Sequence, residues 1–218
     1  MRIVLINPNT TQAFTDDMVL LARAEAPTGV KVTGVTARFG ASLITTTAQY
    51  KEASAAVLAL IDELDGADAV IVSAFGDPGR DDLAERLRVP VVGLAGASFE
   101  TAAEHSSGRF GVVTTMLDLR ARIKALAKQH GHAAQLVSVR ITPGDPAALM
   151  ADRAALVGAL SHAGIAAIQE DGAEAIIVGG GPLAGIVPAL ARRLAVPVIS
   201  PVAAAVAVAV QRVRALAG

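Results

Sequence analysis

Two stretches of this chain repeat each other 106 residues apart: DGADAVIV at 65–72 and DGAEAIIV at 171–178, identical at six of eight positions. LRVPVV at 87–92 returns as LAVPVI at 194–199, and RIVLI at 2–6 is echoed by RFGVV at 109–113. All three pairs are offset by 106 or 107 residues and occur in the same order. One such match in an Ala/Val-rich chain is coincidence; three at one spacing indicate an internal duplication. A chain of 218 residues has room for two α/β units of roughly 100 residues each.

Short β-branched runs alternate with helix-forming stretches, the pattern of βαβ units feeding a parallel sheet. Strands are expected at 2–6, 30–36, 68–74, 90–94, 109–114, 135–141, 174–179 and 196–200. Helices are expected at 11–25, 48–64, 97–106, 117–130, 147–171, 182–194 and 202–216. Thr10 or Thr11 is expected to cap the first helix, and Asp77 or Asp81 the one after the third strand. The fold class is therefore α/β: two pseudo-symmetric, Rossmann-like lobes with parallel sheets. The first lobe is expected to span 1–95, joined by the terminal segment 202–218, and the second 96–201. Ligands of open parallel sheets sit beyond the carboxyl ends of the strands, so a cleft between the lobes is expected there. Under the repeat, Ala74 maps onto Gly180.

Composition excludes several functions. An apolar share of 53% with 18% charged residues supports a sizeable core, and 3% aromatics makes that core aliphatic. A net charge of −1 exerts no long-range pull on nucleic acid or an anionic membrane, so neither is expected as a partner. The chain has no cysteine, which removes disulfides, thiolate metal sites and thiol nucleophiles. The stretch most like a membrane segment, VAAAVAVAV at 202–210, has nine residues, where a span needs about 20. RIVLI is too short for the apolar region of an export signal, and a soluble cytoplasmic protein is expected. His105, His130, His132 and His162 fall in helical, charge-rich segments and read as solvated surface residues. No carboxylate stands at ligand spacing from His130 and His132, so no metal site is expected. GVVTT and GGGPLAG lack a following Gly-Lys-Ser/Thr and are not phosphate loops.

INPNT at 6–10, FGAS at 39–42, AFGDPG at 74–79, RFGVVTT at 109–115 and GGGPLAG at 179–185 occur in order along the whole chain. Together they resemble the aspartate/glutamate/hydantoin racemase family, most nearly its hydantoin and allantoin racemase branch. The resemblance implies a small carboxylate or imide as partner, no cofactor, and a homo-oligomer. It also implies racemisation by two cysteines, one on each face of the substrate's α-carbon, because inversion through a planar intermediate needs an acid/base group on both sides. The positions matching those cysteines are Ala74 and Gly180. Neither side chain ionises, so the two-thiol mechanism is excluded.

The rest of the binding apparatus is retained. Asn9 and Thr10 follow the first strand, Thr114 and Thr115 its counterpart, and hydroxyls, amides and backbone N–H groups there suit a carboxylate or imide oxygen. The alternative reading is helix capping by Thr and turn formation by Asn-Pro. Gly180 and Gly181 allow close backbone approach, their amides forming either an oxyanion hole or a plain strand-to-helix turn. The resemblance places Thr45, in SLITTTAQY, and the strand-end turn Ala74, Phe75 and Gly76 against substrate. Asp77 is the only ionisable residue immediately beyond Ala74 and is the candidate base, with helix capping as its alternative role. Ser73 precedes the strand tip and is expected to point away from it. Two functions are in view: an enzyme of this superfamily using non-thiol isomerase, decarboxylase/lyase or hydrolase chemistry, or an inactive small-anion binding protein. The apolar terminal helix is expected to be either deeply buried or shared with another subunit.

Overall fold

The computed structural model describes residues 1–105 and 107–217; Ser106, where the helix expected at 97–106 ends, and Gly218 lie outside the described residues. Strands β1 (Arg2–Asn7), β2 (Lys31–Thr36), β3 (Ala69–Val72) and β4 (Val91–Gly93) form one sheet in the order β2-β1-β3-β4. Strands β5 (Phe110–Thr114), β6 (Leu136–Ile141), β7 (Ala175–Val178) and β8 (Val198–Ile199) form a second in the order β6-β5-β7-β8. Every pairing in both is parallel. The chain divides into two compact units, Met1–Ala97 with Val202–Gly218, and Ser98–Pro201.

The duplication extends to individual backbone bonds. Asp68 N donates to Arg2 O (2.8 Å) and Glu174 N to Arg109 O (2.9 Å). Val70 N donates to Pro90 O and Ile176 N to Pro197 O, both at 2.9 Å. Ser73 N donates to Ile6 O and Gly179 N to Val113 O, both at 2.8 Å. Ala74 and Gly180, one residue further along, thus occupy the same place in their respective units.

The helices are α1 (Gln12–Glu25), α2 (Thr47–Leu58), α3 (Arg80–Arg86), α4 (Leu94–Ala103), α5 (Leu119–Gln129), α6 (Pro146–Ala151), α7 (Arg153–Gln169), α8 (Val187–Ala191) and α9 (Pro201–Ala217). In each unit they cover the central strands. Val4, Ile6, Val70 and Val72 pack with Val57, Leu60 and Leu83 in the first, and Val113, Ile176 and Val178 with Leu156, Leu160 and Leu190 in the second. The AVIV and AIIV strands are buried at every residue, as parallel strands covered on both faces must be.

Several sequence expectations need correction. The helix expected over 147–171 is two, because Asp152 adopts an extended conformation and its Oδ1 accepts from Ala154 N (2.9 Å) and Ala155 N (3.0 Å), capping α7. The segment 182–194 holds a 3-10 turn over Gly181–Ile186 and then the short α8. Thr11 stands at the N-cap of α1 without a capping bond; its hydroxyl donates to Ser42 O at 2.8 Å. His130 and His132 are half-buried rather than solvated, with ring centroids 6.4 and 6.5 Å from that of the buried Phe99. Of the two alternatives for the terminal helix, burial is found: Val202, Ala205, Val206 and Ala209 of α9 are inaccessible or nearly so. Among the described residues no helix is long and apolar enough to cross a membrane.

The loop that repeats DGA carries an ion-pair cluster. Arg140 on β6 donates to both carboxyl oxygens of Asp171 (2.7 and 2.8 Å) and to Glu170 (2.8 Å). The Arg140 guanidinium holds the Asp171 carboxyl below its ordinary value against the opposing effect of burial, and Arg140 is itself pushed further up. A depressed carboxyl contributes stability above its unfolded pKa and loses it as pH falls through the folded value. Thermal melts of Asp171→Asn should therefore show a shallower decline than the natural chain below about pH 4 and a lower melting temperature near neutrality. Equal acid limbs would contradict this.

Candidate functional site

The carboxyl ends of β1 and β3 in the first unit, and of β5 and β7 in the second, hold the residues singled out from sequence. At the end of β1 an asparagine network organises the INPNT loop. Asn7, fully buried, shares its Nδ2 hydrogens among Asn9 Oδ1, Thr11 O and Thr15 Oγ1, each at 3.0 Å. Its Oδ1 accepts from Asn9 N at 3.2 Å. Asn9 Oδ1 also accepts from Thr11 N at 3.0 Å, the side-chain-to-backbone turn that Asn favours. Both oxygens are thus committed, while the Asn9 Nδ2 has no acceptor among the described residues. Thr10 N donates to Ala41 O at 3.1 Å, tying the FGAS loop to the INPNT loop, and the Thr10 hydroxyl makes no bond among the described residues.

Thr45 bonds locally. Its amide and hydroxyl both lie on Gln49 Oε1 (2.8 and 3.1 Å), next to the Thr46/Gln49 capping box that starts α2. That box is legible in TTTAQ and sequence reasoning missed it. It also missed Tyr50, the only tyrosine of the chain. Tyr50 Oη donates to Phe75 O at 2.8 Å, and its ring lies where a Cβ on Gly76 (φ 144°) would come within 2.4 Å of Cε1. Only glycine fits at 76. Phe75 and Gly76 are buried, and Ala74 is half-buried.

Asp77 caps a helix, but not the one expected. The N-cap of α3 is Gly79, which makes no side-chain bond. The Asp77 carboxyl instead accepts from Ala95 N (3.0 Å) and Gly96 N (3.1 Å) in the first turn of α4. It is 3% exposed and sits at φ 52°, a left-handed conformation Asp tolerates better than most residues. Gly93, the last residue of β4, makes room for it: a Cβ there would fall 2.2 Å from Asp77 Cγ. Both carboxyl oxygens of the candidate base are therefore engaged in holding the strand-end loop. Ser73 turns away from the strand end as expected, its hydroxyl donating to Met18 Sδ on α1 at 2.6 Å.

In the second unit, Thr114 N-terminal to the β5–α5 loop is fully buried, its Oγ1 accepting from Met116 N at 3.4 Å and its carbonyl from Thr142 N at 2.9 Å. Thr115 is 2% exposed and its hydroxyl has no partner among the described residues; the same holds for Thr142 at 4%. Buried polar groups without partners are uncommon in native structures and cost roughly 1–3 kcal/mol each. Thr142 was not anticipated, since it lies next to Thr114 only through strand pairing. The expected pair of Gly180 and Gly181 amides reduces to at most one donor, because Gly180 N already donates to Val178 O at 3.0 Å.

A family model described as Asp/Glu/Hydantoin racemase matches residues 3–209. The chain is 33% identical over 215 residues to the hydantoin racemase of Paenarthrobacter aurescens, covering 96% of this chain and 89% of that protein. Among solved structures, allantoin racemase from Pseudomonas fluorescens superposes with a TM-score of 0.94 at 35% identity, covering 99% of this chain and 92% of that one. Allantoin racemase from Klebsiella pneumoniae gives 0.92 at 32%, covering 100% and 89%.

Proposed function

The chain belongs to the Asp/Glu/hydantoin racemase family, and from that premise we propose that it acts on a hydantoin-type imide or small carboxylate as an isomerase that moves its proton without thiols. Relatives at 31–35% identity include hydantoin and allantoin racemases, which favours a five-membered cyclic imide as substrate and inversion at its α-carbon as reaction.

The observation that carries the reading is a contrast at the strand ends. Among the described residues, Asn9 Nδ2 and the Thr10 hydroxyl in the first unit, and the Thr115 hydroxyl in the second, have no partner. The two thiol positions hold Ala74 and Gly180. Removing the α-proton leaves its electron pair delocalised onto the adjacent carbonyl oxygen as an enolate. A fixed donor within reach of that oxygen stabilises it, typically contributing about 10²–10³ in rate. The proton leaves to water and returns from water on the opposite face, so no side chain changes its protonation state. This scheme is slower than a two-base one, because water is not held at a matched pKa.

Proton exchange tests the proposal. Allantoin and 5-substituted hydantoins in D₂O are expected to lose their α-proton signal at least about tenfold faster with the protein than in buffer, with loss of optical rotation at a comparable rate. Exchange at the buffer rate, accompanied by a ligand-induced rise in melting temperature, would replace this reading with that of an inactive small-anion binding protein. Appearance of a ring-opened or decarboxylated product would replace it with hydrolase or lyase chemistry.

A further inference from the structure

The duplication places an equivalent groove in each unit, between the helix that follows the central strand and the outer face of the edge strand. In the first it lies between α1 and β2, and in the second between α5 and β6. The two have diverged to opposite charge. Helix α5 carries Arg120, Arg122, Lys124 and Lys128 and no carboxylate, whereas α1 carries Asp16, Asp17 and Glu25 against Arg23 alone.

Among the described residues Asp16 and Asp17 form no ion pair, and Asp16 Oδ1 accepts only from the neutral Gln12 amide at 2.8 Å. Arg120, Lys124 and Lys128 recur every four residues and so share one helical face. They line a groove of about 770 Å³ with Leu136, Val137 and Ile141 of β6, and none of the three forms an ion pair among the described residues. The only other cation there, Arg140, is neutralised by Asp171 and Glu170. The α1/β2 groove, about 530 Å³, is lined by Asp16, Asp17 and Leu20. Leu20 is 69% exposed, an apolar side chain flanked by acids. Arg23, the cation of that groove, is held by the carbonyl of Val32 at 2.9 Å. β2 and β6 are edge strands of their sheets, and proteins ordinarily cover or blunt such edges.

We propose that the occupant of each groove is a second copy of this chain: the acidic α1/β2 face of one copy docks on the basic α5/β6 face of another. Leu20 of one copy meets the apolar floor formed by Leu136, Val137 and Ile141 of its neighbour, and Asp16 and Asp17 meet Arg120, Lys124 and Lys128. The contact is head-to-tail, since it joins two different surfaces. It rests on the groove charges alone and is independent of the reaction proposed above.

Sedimentation velocity on the full chain tests it. Raising NaCl from about 50 to about 500 mM is expected to weaken self-association at least about tenfold, because exposed charge pairs are screened over this range. The reversals Lys124→Glu/Lys128→Glu and Asp16→Lys/Asp17→Lys, at exposed positions away from the candidate site, should each leave a folded, mainly monomeric protein by circular dichroism. Mixing the two reversed variants should restore association to within about threefold of the natural chain, because every groove then meets one of opposite sign. A chain that is monomeric at low salt, an assembly indifferent to salt and to both reversals, or a mixture that stays monomeric would overturn the proposal. So would a monomer whose melting temperature is raised by tripolyphosphate only while Lys124 and Lys128 are present, which would assign the basic groove to a free anion instead.

Discussion

Cysteines introduced at Ala74 and Gly180 together are expected to raise the rate of hydantoin or allantoin racemisation by roughly 10²- to 10⁴-fold over the natural chain, the usual contribution of positioned acid/base groups. The two positions are equivalent in the duplicated units, each following a residue whose amide bonds to the central strand. Ala74→Cys adds one sulfur to an existing Cβ at a half-buried site. Gly180 sits at φ 164°, an extended conformation open to any residue, and a Cβ there would lie 3.0 Å from Cδ1 and 3.1 Å from Cγ of Leu183. Leu183, 3% exposed in the 3-10 turn and packed in the core of the second unit, must shift by a few tenths of an ångström, so melting curves accompany the assay.

Two-cysteine racemisation needs a base on each face of the α-carbon, so each single variant should gain far less in racemisation than the pair. The rate of the double variant should also rise with pH toward the thiol pKa of about 8.5, since the thiolate is the base. Polarimetry with each enantiomer, alongside melting curves, provides the measurement. A folded double variant no faster than the natural chain would mean that these strand ends do not hold a racemase substrate.

Gly93→Ala is expected to be the most damaging single methyl group in the first unit, at roughly 3–5 kcal/mol. The added carbon would stand 2.2 Å from both Cγ and Oδ2 of Asp77. That side chain has no easy retreat, because it is buried and bonded to Ala95 N and Gly96 N. Displacing it strips two amides at the start of α4 of their acceptor and loosens the 74–79 loop. At 2–4 °C per kcal/mol for a chain of this size, the melting temperature should fall by about 10 °C.

Asp77 variants separate the cause. Asp77→Asn keeps one acceptor and the tolerance for a left-handed backbone, and should lose about 1 kcal/mol; Asp77→Ala loses the cap entirely, about 2–3 kcal/mol. Combining Gly93→Ala with Asp77→Gly should cost less than the sum of the two, because the clash disappears with the side chain. A melting temperature for Gly93→Ala within a degree of the natural chain would show that Asp77 is not held as described. If Asp77→Asn melts lower yet exchanges substrate protons unchanged, the residue serves the loop and not the reaction.

Much of this was legible in order along the chain. The offset of 106 or 107 residues located the equivalent strands, and β-branched runs located all eight, because strand formation in a buried parallel sheet leaves a short apolar signature. Helix breaks were less visible. Asp152 ends one helix and caps the next inside a stretch whose composition favours helix throughout, so the cap was obscured by propensity. Asp77 illustrates the limit more sharply. Its place ahead of the expected helix suggested a cap for that helix, yet its partners lie 18 and 19 residues on.

The sequence by itself determined the duplication and the α/β class, since these follow from residue identity and period, while the resemblance to the racemase family implied that Ala74 and Gly180 stand where that family carries its cysteines. Tertiary structure decided what Asp77 binds, why Gly76 and Gly93 carry no side chain, and which hydroxyls are buried without a partner. Those properties arise from atoms brought within a few ångströms across strands and helices, and chain order encodes no such distance.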